Sequence, residues 1–290
     1  LSLEFLLDGV WKKTIAIGEK QFSETATQLE PGAKVHSFLE LAKHFPAWNM
    51  WKESRQNPYP SVCKGVEILA HDHNHIIVRT HIEYRTKNQE GKEADDISLI
   101  QCDYMLLKDD PLLYLTYQLD FHGQKVLMKL DLPTTTEAER AECAVALGYE
   151  SRSTRPQTAR DKARWENYMH TWVNLPSADE KWGFAVLNHS KYGVDYHKGY
   201  IGITLIHGQT FFPPKMIAWV FEERMRRLDE GNGQPPGWLD QGKHIFSLAL
   251  YPHQGSGLDA DVPAYAQIFN QPPLVMAGTP IWKEKLPEFA

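Results

Sequence analysis

Between residues 60 and 130 the chain repeats one pattern, in which short β-branched runs are cut by turn formers. Val66-Glu67-Ile68-Leu69 leads through His71-Asp72-His73-Asn74 into a second run, His75 to Tyr84, that partly alternates apolar and polar side chains. Alternation with period two is the mark of a half-buried strand. Asp72 and Asn74 favour turns because their side chains bond back to nearby backbone, so the two runs read as a hairpin. The next turn is Lys87-Asn88-Gln89-Glu90-Gly91-Lys92. Ile97–Leu107, Leu112–Phe121 and Val126–Leu132 read as three further strands, broken by Asp109-Asp110-Pro111 and His122-Gly123. Links this short join antiparallel neighbours, because parallel ones need crossovers of about a dozen residues or more. The expectation is an antiparallel meander.

Residues 150–181 are polar and poor in period, and read as a long excursion between sheets. Strand patterns resume at Trp182–Leu187, Tyr200–Ile206 and His244–Tyr251. After Pro213-Pro214, Ile217, Phe221, Met225 and Leu228 recur at three or four residues, with Glu222–Arg226 and Glu223–Arg227 spaced at i, i+4. This predicts a helix over 216–229, ended near Gly231 and followed by a loop to Gly237. A second short helix is expected from Val262, with Asp261 as N-cap and Pro263 in its first turn. The whole chain, residues 1–290, is expected to form a single large, mainly β domain with one or two short helices.

Charge and composition narrow the function classes. With 31 Lys+Arg against 37 Asp+Glu the net charge is −6 and no basic cluster stands out, which argues against a nucleic-acid partner. No apolar run reaches the roughly 20 residues that span a bilayer, so no membrane is expected as partner. Cys63, Cys102 and Cys143 form no CxxC pair and are odd in number, which favours a reducing, cytoplasmic compartment over a disulfide framework. The first residue is Leu1 and no signal peptide follows, so a processed chain or a piece of a longer protein is expected.

Few residues suggest chemistry on their own. His71, His73 and His75, with Asp72 between them and His81 beyond, could share zinc, but a solvated hairpin tip explains the same residues and no remote ligand is evident. Asp259-Ala260-Asp261 lacks the Gly and the distal Glu of a calcium loop and reads as helix capping. Cys63 reads as an inert buried thiol. There is no GxSxG, HExxH, Walker loop or GxGxxG. Nine tryptophans and twelve tyrosines can line a sugar site or simply fill a core.

The stretch Trp182-Gly183-Phe184-Ala185-Val186-Leu187-Asn188-His189-Ser190-Lys191-Tyr192-Gly193 resembles a segment in the β domain of family 38 glycoside hydrolases, the α-mannosidases. Three more stretches fit in order. Phe45-Pro46-Ala47-Trp48-Asn49-Met50-Trp51 is similar to the family's WDAW segment. Arg164-Trp165-Glu166 with His170-Thr171-Trp172-Val173-Asn174-Leu175 is similar to its RFE and HRWADL segments. Asp240-Gln241-Gly242-Lys243-His244-Ile245-Phe246 with Ala249-Leu250-Tyr251-Pro252-His253 is similar to its last conserved stretch. The matches extend from about residue 36 to 275. The chain departs from the pattern at His189, where the family has Asp, and the helix over 216–229 looks like an insertion.

The resemblance implies an antiparallel supersandwich of the galactose mutarotase-like kind. It also implies a fragment of a retaining, zinc-dependent α-mannosidase that acts on terminal α-D-mannosides and their oligosaccharides. The family's zinc site and nucleophile belong to an α/β catalytic domain whose motifs are not found here. No catalytic residue and no metal ligand is therefore expected in this chain, and zinc is expected in the parent's catalytic domain. The β domain would pack on that domain and wall the sugar site. Asn188, Tyr192 and Asp195 are the candidates for the wall, with the alternative that Asn188 and Tyr192 merely fix the turn. The isolated fragment is expected to be inactive. Two other readings stand beside this one: a non-catalytic carbohydrate-binding module, and a mutarotase-like enzyme in which His75, His81 and Glu83 would converge.

Overall fold

The computed structural model describes residues 3–7, 10–15, 34–39, 50–56, 58–59, 61–87, 93–209 and 239–271. The helix expected over 216–229 and the segment Phe45 to Asn49 lie outside these residues. Every described strand pair is antiparallel, and the two large sheets share one core.

The meander is present as four strands: β5 (Ser61–His71), β6 (His75–Lys87), β7 (Glu93–Leu107) and β8 (Leu113–Phe121), each paired with the next. The hairpin tip forms as the turn residues dictate, because Asp72 Oδ1 accepts the backbone N–H of Asn74 at 2.7 Å and of His75 at 3.0 Å. The fifth expected strand, β9 (Val126–Pro133), leaves the meander for the other sheet. Gly123 permits the exit: a Cβ there would stand 2.7 Å from the Phe121 ring.

The larger sheet has nine strands. From β8 it continues through β17 (Gly242–Gln254), β14 (Trp182–His189), β13 (Trp172–Pro176) and β10 (Arg140–Val145) to β11 (Gly148–Ser153). Residues 150–181 are therefore not a bare excursion. They hold β13, the end of β11, a short helix α1 (Ala159–Ala163) and β12 (Asn167–Tyr168). The period was invisible because all five residues of β13 are buried, and a strand covered on both faces does not alternate.

The smaller sheet runs β12, β15 (Gly193–His197), β16 (Tyr200–Gly208), β9, β3 (Lys34–Leu39), β4 (Pro58–Tyr59). Met128, Leu130, Ile201 and Ile203 from this sheet meet Leu115, Tyr117, Phe184 and Phe246 from the larger one in a single core. A separate hairpin joins β1 (Leu3–Leu7) to β2 (Val10–Ile15). On the outer face of the larger sheet, helix α2 (Val262–Asn270) packs Val262 and Ala266 on Ala185, Leu187 and Ala249. Pro263 sits in its first turn as expected, but Asp261 does not cap it: that residue is left-handed (φ 55°) and its side chain makes no cap bond.

Cys63 proves exposed, whereas Cys102 and Cys143 are buried. The cause is position. Strand β5 is one of the two edge strands of the nine and buries almost nothing.

Candidate functional site

The most concentrated chemistry lies on the face of the smaller sheet turned away from the core. Because side chains alternate along a strand, β9 sends Met128, Leu130 and Leu132 into the core and Lys129 and Asp131 to the opposite face. β15 adds Asp195 and His197 there, and β16 adds Tyr200 and Thr204. A 3₁₀ turn (Lys52–Gln56) lays Arg55 over them, and Glu166 enters from the segment before β12.

These groups form one ionic cluster. Arg55 donates to Asp195 at 2.8 and 3.0 Å and to Asp131 at 2.9 Å, and it lies 5.5 Å from the Phe38 ring centroid. Lys129 Nζ donates to Glu166 at 2.6 Å and to Thr204 at 2.7 Å, and stands 2.8 Å from Asp195. The Tyr200 hydroxyl links Arg55 and Asp131. Gly202 sits at the centre, where a Cβ would collide with the Asp195 carboxylate and the Tyr200 hydroxyl.

The cluster fixes its own charges. Burial works against the Asp195 carboxylate, but Arg55 and Lys129 outweigh it and hold the group below its ordinary range. For Glu166 burial wins over Lys129, with Asp195 adding repulsion, and its acidity is weakened. Burial also opposes the Arg55 charge, yet Asp131, Asp195 and Tyr200 raise it well above its usual value. Lys129 is wholly buried and Asp131 and Asp195 nearly so, an arrangement that braces the sheet, while His197 beside them borders a cleft.

The three wall candidates differ in their surroundings. Asn188 is buried: its side-chain NH₂ donates to the His170 carbonyl at 2.8 Å, and its side-chain oxygen accepts the Lys191 N–H at 2.8 Å. Asp195 belongs to the ionic cluster. Tyr192 alone reaches solvent, 55% exposed, with its ring 6.3 Å from that of His170. Lys191 of the same turn is tied down, donating to the Leu205 carbonyl at 2.8 Å.

The other matched stretches also serve packing. The Trp165 indole donates to the Met50 carbonyl at 3.0 Å, which staples two of them together. His253 pairs with Asn174 at 2.9 Å, and Asn174 donates to Glu142 at 2.9 Å. Burial lowers the His253 pKa to about 4. Gly183 is required beside it, since a Cβ would come within 2.6 Å of that ring.

His75, His81 and Glu83 have separate partners: Asp72 at 3.1 Å, Glu67 at 2.8 Å and Lys64 at 3.0 Å. His71 and His73 are exposed at the hairpin tip. Among the described residues, no group of three or more His, Cys, Asp or Glu is gathered to hold a metal ion. None of the helices among them is long and apolar enough to cross a membrane.

One cleft opens beside the ionic cluster, with a volume of about 250 Å³. Its walls include Lys52, Arg152, Lys162, Arg164, Trp165 and Tyr196. Sequence reasoning missed it, because its residues come from four separated segments and only Arg164-Trp165 lay in a recognised stretch.

The comparisons with known proteins agree in direction. Alpha-mannosidase 2C1 of Mus musculus is 27% identical over 159 residues, which is 55% of this chain and 13% of that protein. Alpha-mannosidase G of Dictyostelium discoideum is 31% identical over 136 residues, 47% of this chain and 10% of that protein. The chain thus matches only a small part of the length of these relatives. An alpha-mannosidase from Enterococcus faecalis V583 shares the fold, with a TM-score of 0.59 at 10% identity, covering 80% of this chain and 26% of that one. The model of the glycosyl hydrolases family 38 C-terminal domain matches residues 16–213. That span is more than half of the 290 residues, and the chain belongs to this family.

Proposed function

We propose that this chain is the β domain of a retaining α-mannosidase that hydrolyses terminal α-D-mannosides, and that it packs on the parent's catalytic domain and walls the sugar site. The observation that carries the reading is the family match over residues 16–213, joined by relatives named as α-mannosidases. In a retaining mechanism one carboxylate attacks the anomeric carbon and a second acts as acid and then as base, the pair standing about 5–5.5 Å apart. The chain's most concentrated acids, Asp131, Asp195 and Glu166, are buried against Arg55 and Lys129, which suits bracing and not attack. Zinc, as Lewis acid, would belong to the catalytic domain. The described residues offer it no ligand set.

Within this reading Tyr192 is the wall residue. Asn188 sets the turn that presents it, and Asp195 anchors the strand that follows. The three cysteines are free, which suits a reducing cytoplasmic location.

The test is an assay of the full-length parent and of this chain on an aryl α-mannoside. The parent should turn over and the fragment should not. Tyr192→Ala in the parent should raise KM roughly two- to tenfold with kcat little changed, as expected for loss of one aromatic contact felt equally by ground and transition states. Turnover by the fragment at the parent's rate would place the active site here. An inactive parent would remove the mannosidase reading altogether.

A further inference from the structure

We propose that the cleft between β11, α1, β15 and the 3₁₀ turn is a binding site for a phosphorylated monosaccharide. The inference is independent of the parent's glycosidase activity and stands on this chain's own residues.

Charge supplies the first argument. Four cationic side chains, Lys52, Arg152, Lys162 and Arg164, line the cleft, against a single carboxylate, Asp161. They do so in a chain of net charge −6, so the local excess is opposite in sign to the whole. Three of the four are uncommitted. Lys52, Lys162 and Arg164 have no carboxylate within ion-pair distance among the described residues, whereas Arg152 is held by Glu150 at 2.7 Å. Asp161 is already engaged: its carboxylate accepts the Thr158 N–H at 2.9 Å, while the Thr158 hydroxyl accepts the Asp161 N–H. A concave site lined by one sign of charge focuses the field and favours an anion. Arg and Lys together are suited to phosphate, Arg by its forked donors and Lys as a point charge.

Shape and surface supply the second argument. At about 250 Å³ the cleft falls below the usual span for drug-sized ligands and suits a single ring with one substituent. Trp165 is one of its lining residues and its only indole. That ring is fixed by its bond to the Met50 carbonyl and by Lys129, whose ammonium lies 5.6 Å from its centroid. A rigid indole among uncommitted cations matches a ligand with an apolar ring face and a charged end. The hydroxyls of Ser153 and Thr154 are committed to the Arg155 and Ala138 carbonyls, so the charged side chains would carry the recognition.

The test uses the full chain and three probes: mannose 6-phosphate, mannose and inorganic phosphate. Titration calorimetry gives affinities, and the NMR signal of the Trp165 indole N–H reports the place. Mannose 6-phosphate should bind at least about tenfold more tightly than either other probe, should move the Trp165 signal, and should weaken as salt is raised. The pair K52A/R164A should lose at least about tenfold in affinity, whereas Lys243→Ala, on a distant strand, should not. Should the double variant fail the circular-dichroism check for folding, Lys162→Ala takes its place with a smaller loss in the same direction. Equal binding of inorganic phosphate and mannose 6-phosphate would overturn the sugar assignment. No binding, or binding that leaves Trp165 unmoved, would overturn the site.

Discussion

Two arginines make nearly the same contacts in two different places. Arg79 on β6 grips Asp103 through both oxygens at 2.6 and 2.7 Å, on a face that water reaches. Arg55 holds Asp195 and Asp131 at 2.8 to 3.0 Å, where both acids are almost wholly enclosed. By distance alone Arg79 is the better pair. Its loss nevertheless leaves Asp103 within reach of water, because an ion pair that solvent reaches gains little over hydration. Loss of Arg55 leaves Asp131 and Asp195 short of a buried counter-charge, which is costly whatever the pair was worth. Enclosure, not bond length, decides what the sheet depends on.

The largest effect should therefore come from Arg55→Met, with a loss of about 3–5 kcal/mol in urea unfolding. Arg79→Ala should shift the midpoint only slightly, and that shift should vanish in high salt. Equal losses for the two would end the comparison.

The next effect is acid sensitivity. His253 has a folded-state pKa of about 4, against 6.5 for an ordinary histidine. The unfolded chain then binds the proton more readily between those values, so stability falls as pH drops through that window. The gap between about 4 and 6.5 bounds the total loss across the window at about 3 kcal/mol, read from unfolding free energies measured at a series of pH values. His253→Gln should flatten that slope without touching the Arg55 cluster.

Gly202→Ala should cost about 1–3 kcal/mol by crowding the cluster from within, and a melting curve would show it. Smallest of all is Ile68→Thr on β5. That side chain is 65% exposed, and its replacement should change unfolding free energy by no more than about 0.5 kcal/mol.

The sequence displayed the alternating strands well and their destinations poorly. Leu113 to Phe121 alternates buried with less buried residues and was readable as a strand. Met128 to Leu132 also alternates apolar with polar, yet all eight residues of β9 are buried, because Lys129 and Asp131 point into an ionic layer and not into water. Alternation tells which side chains share a face, not what covers that face. Arg55 completes the layer from 140 residues away from Asp195, and no local pattern could announce it. Asp195 follows a recognisable motif, and its partners Arg55 and Lys129 lie outside that motif. Cys63 was misplaced for the opposite reason: a thiol usually hides, but an edge strand has nowhere to hide it.

The strand order also governs the sequence of events as the chain folds. β17 lies between β14 and β8, so the nine-stranded sheet consists of two unjoined pieces until residues 242–254 exist. The meander β5 to β8 can form early from neighbouring residues. It must then wait, with the inner edge of β8 unpaired, through more than a hundred residues of synthesis. The piece made of β11, β10, β13 and β14 waits beside it with its own raw edge. Long-range closure of this kind is slow and leaves pairing surfaces open to other chains. A nascent chain halted before β17 would hold both edges ready and have nothing between them to bind.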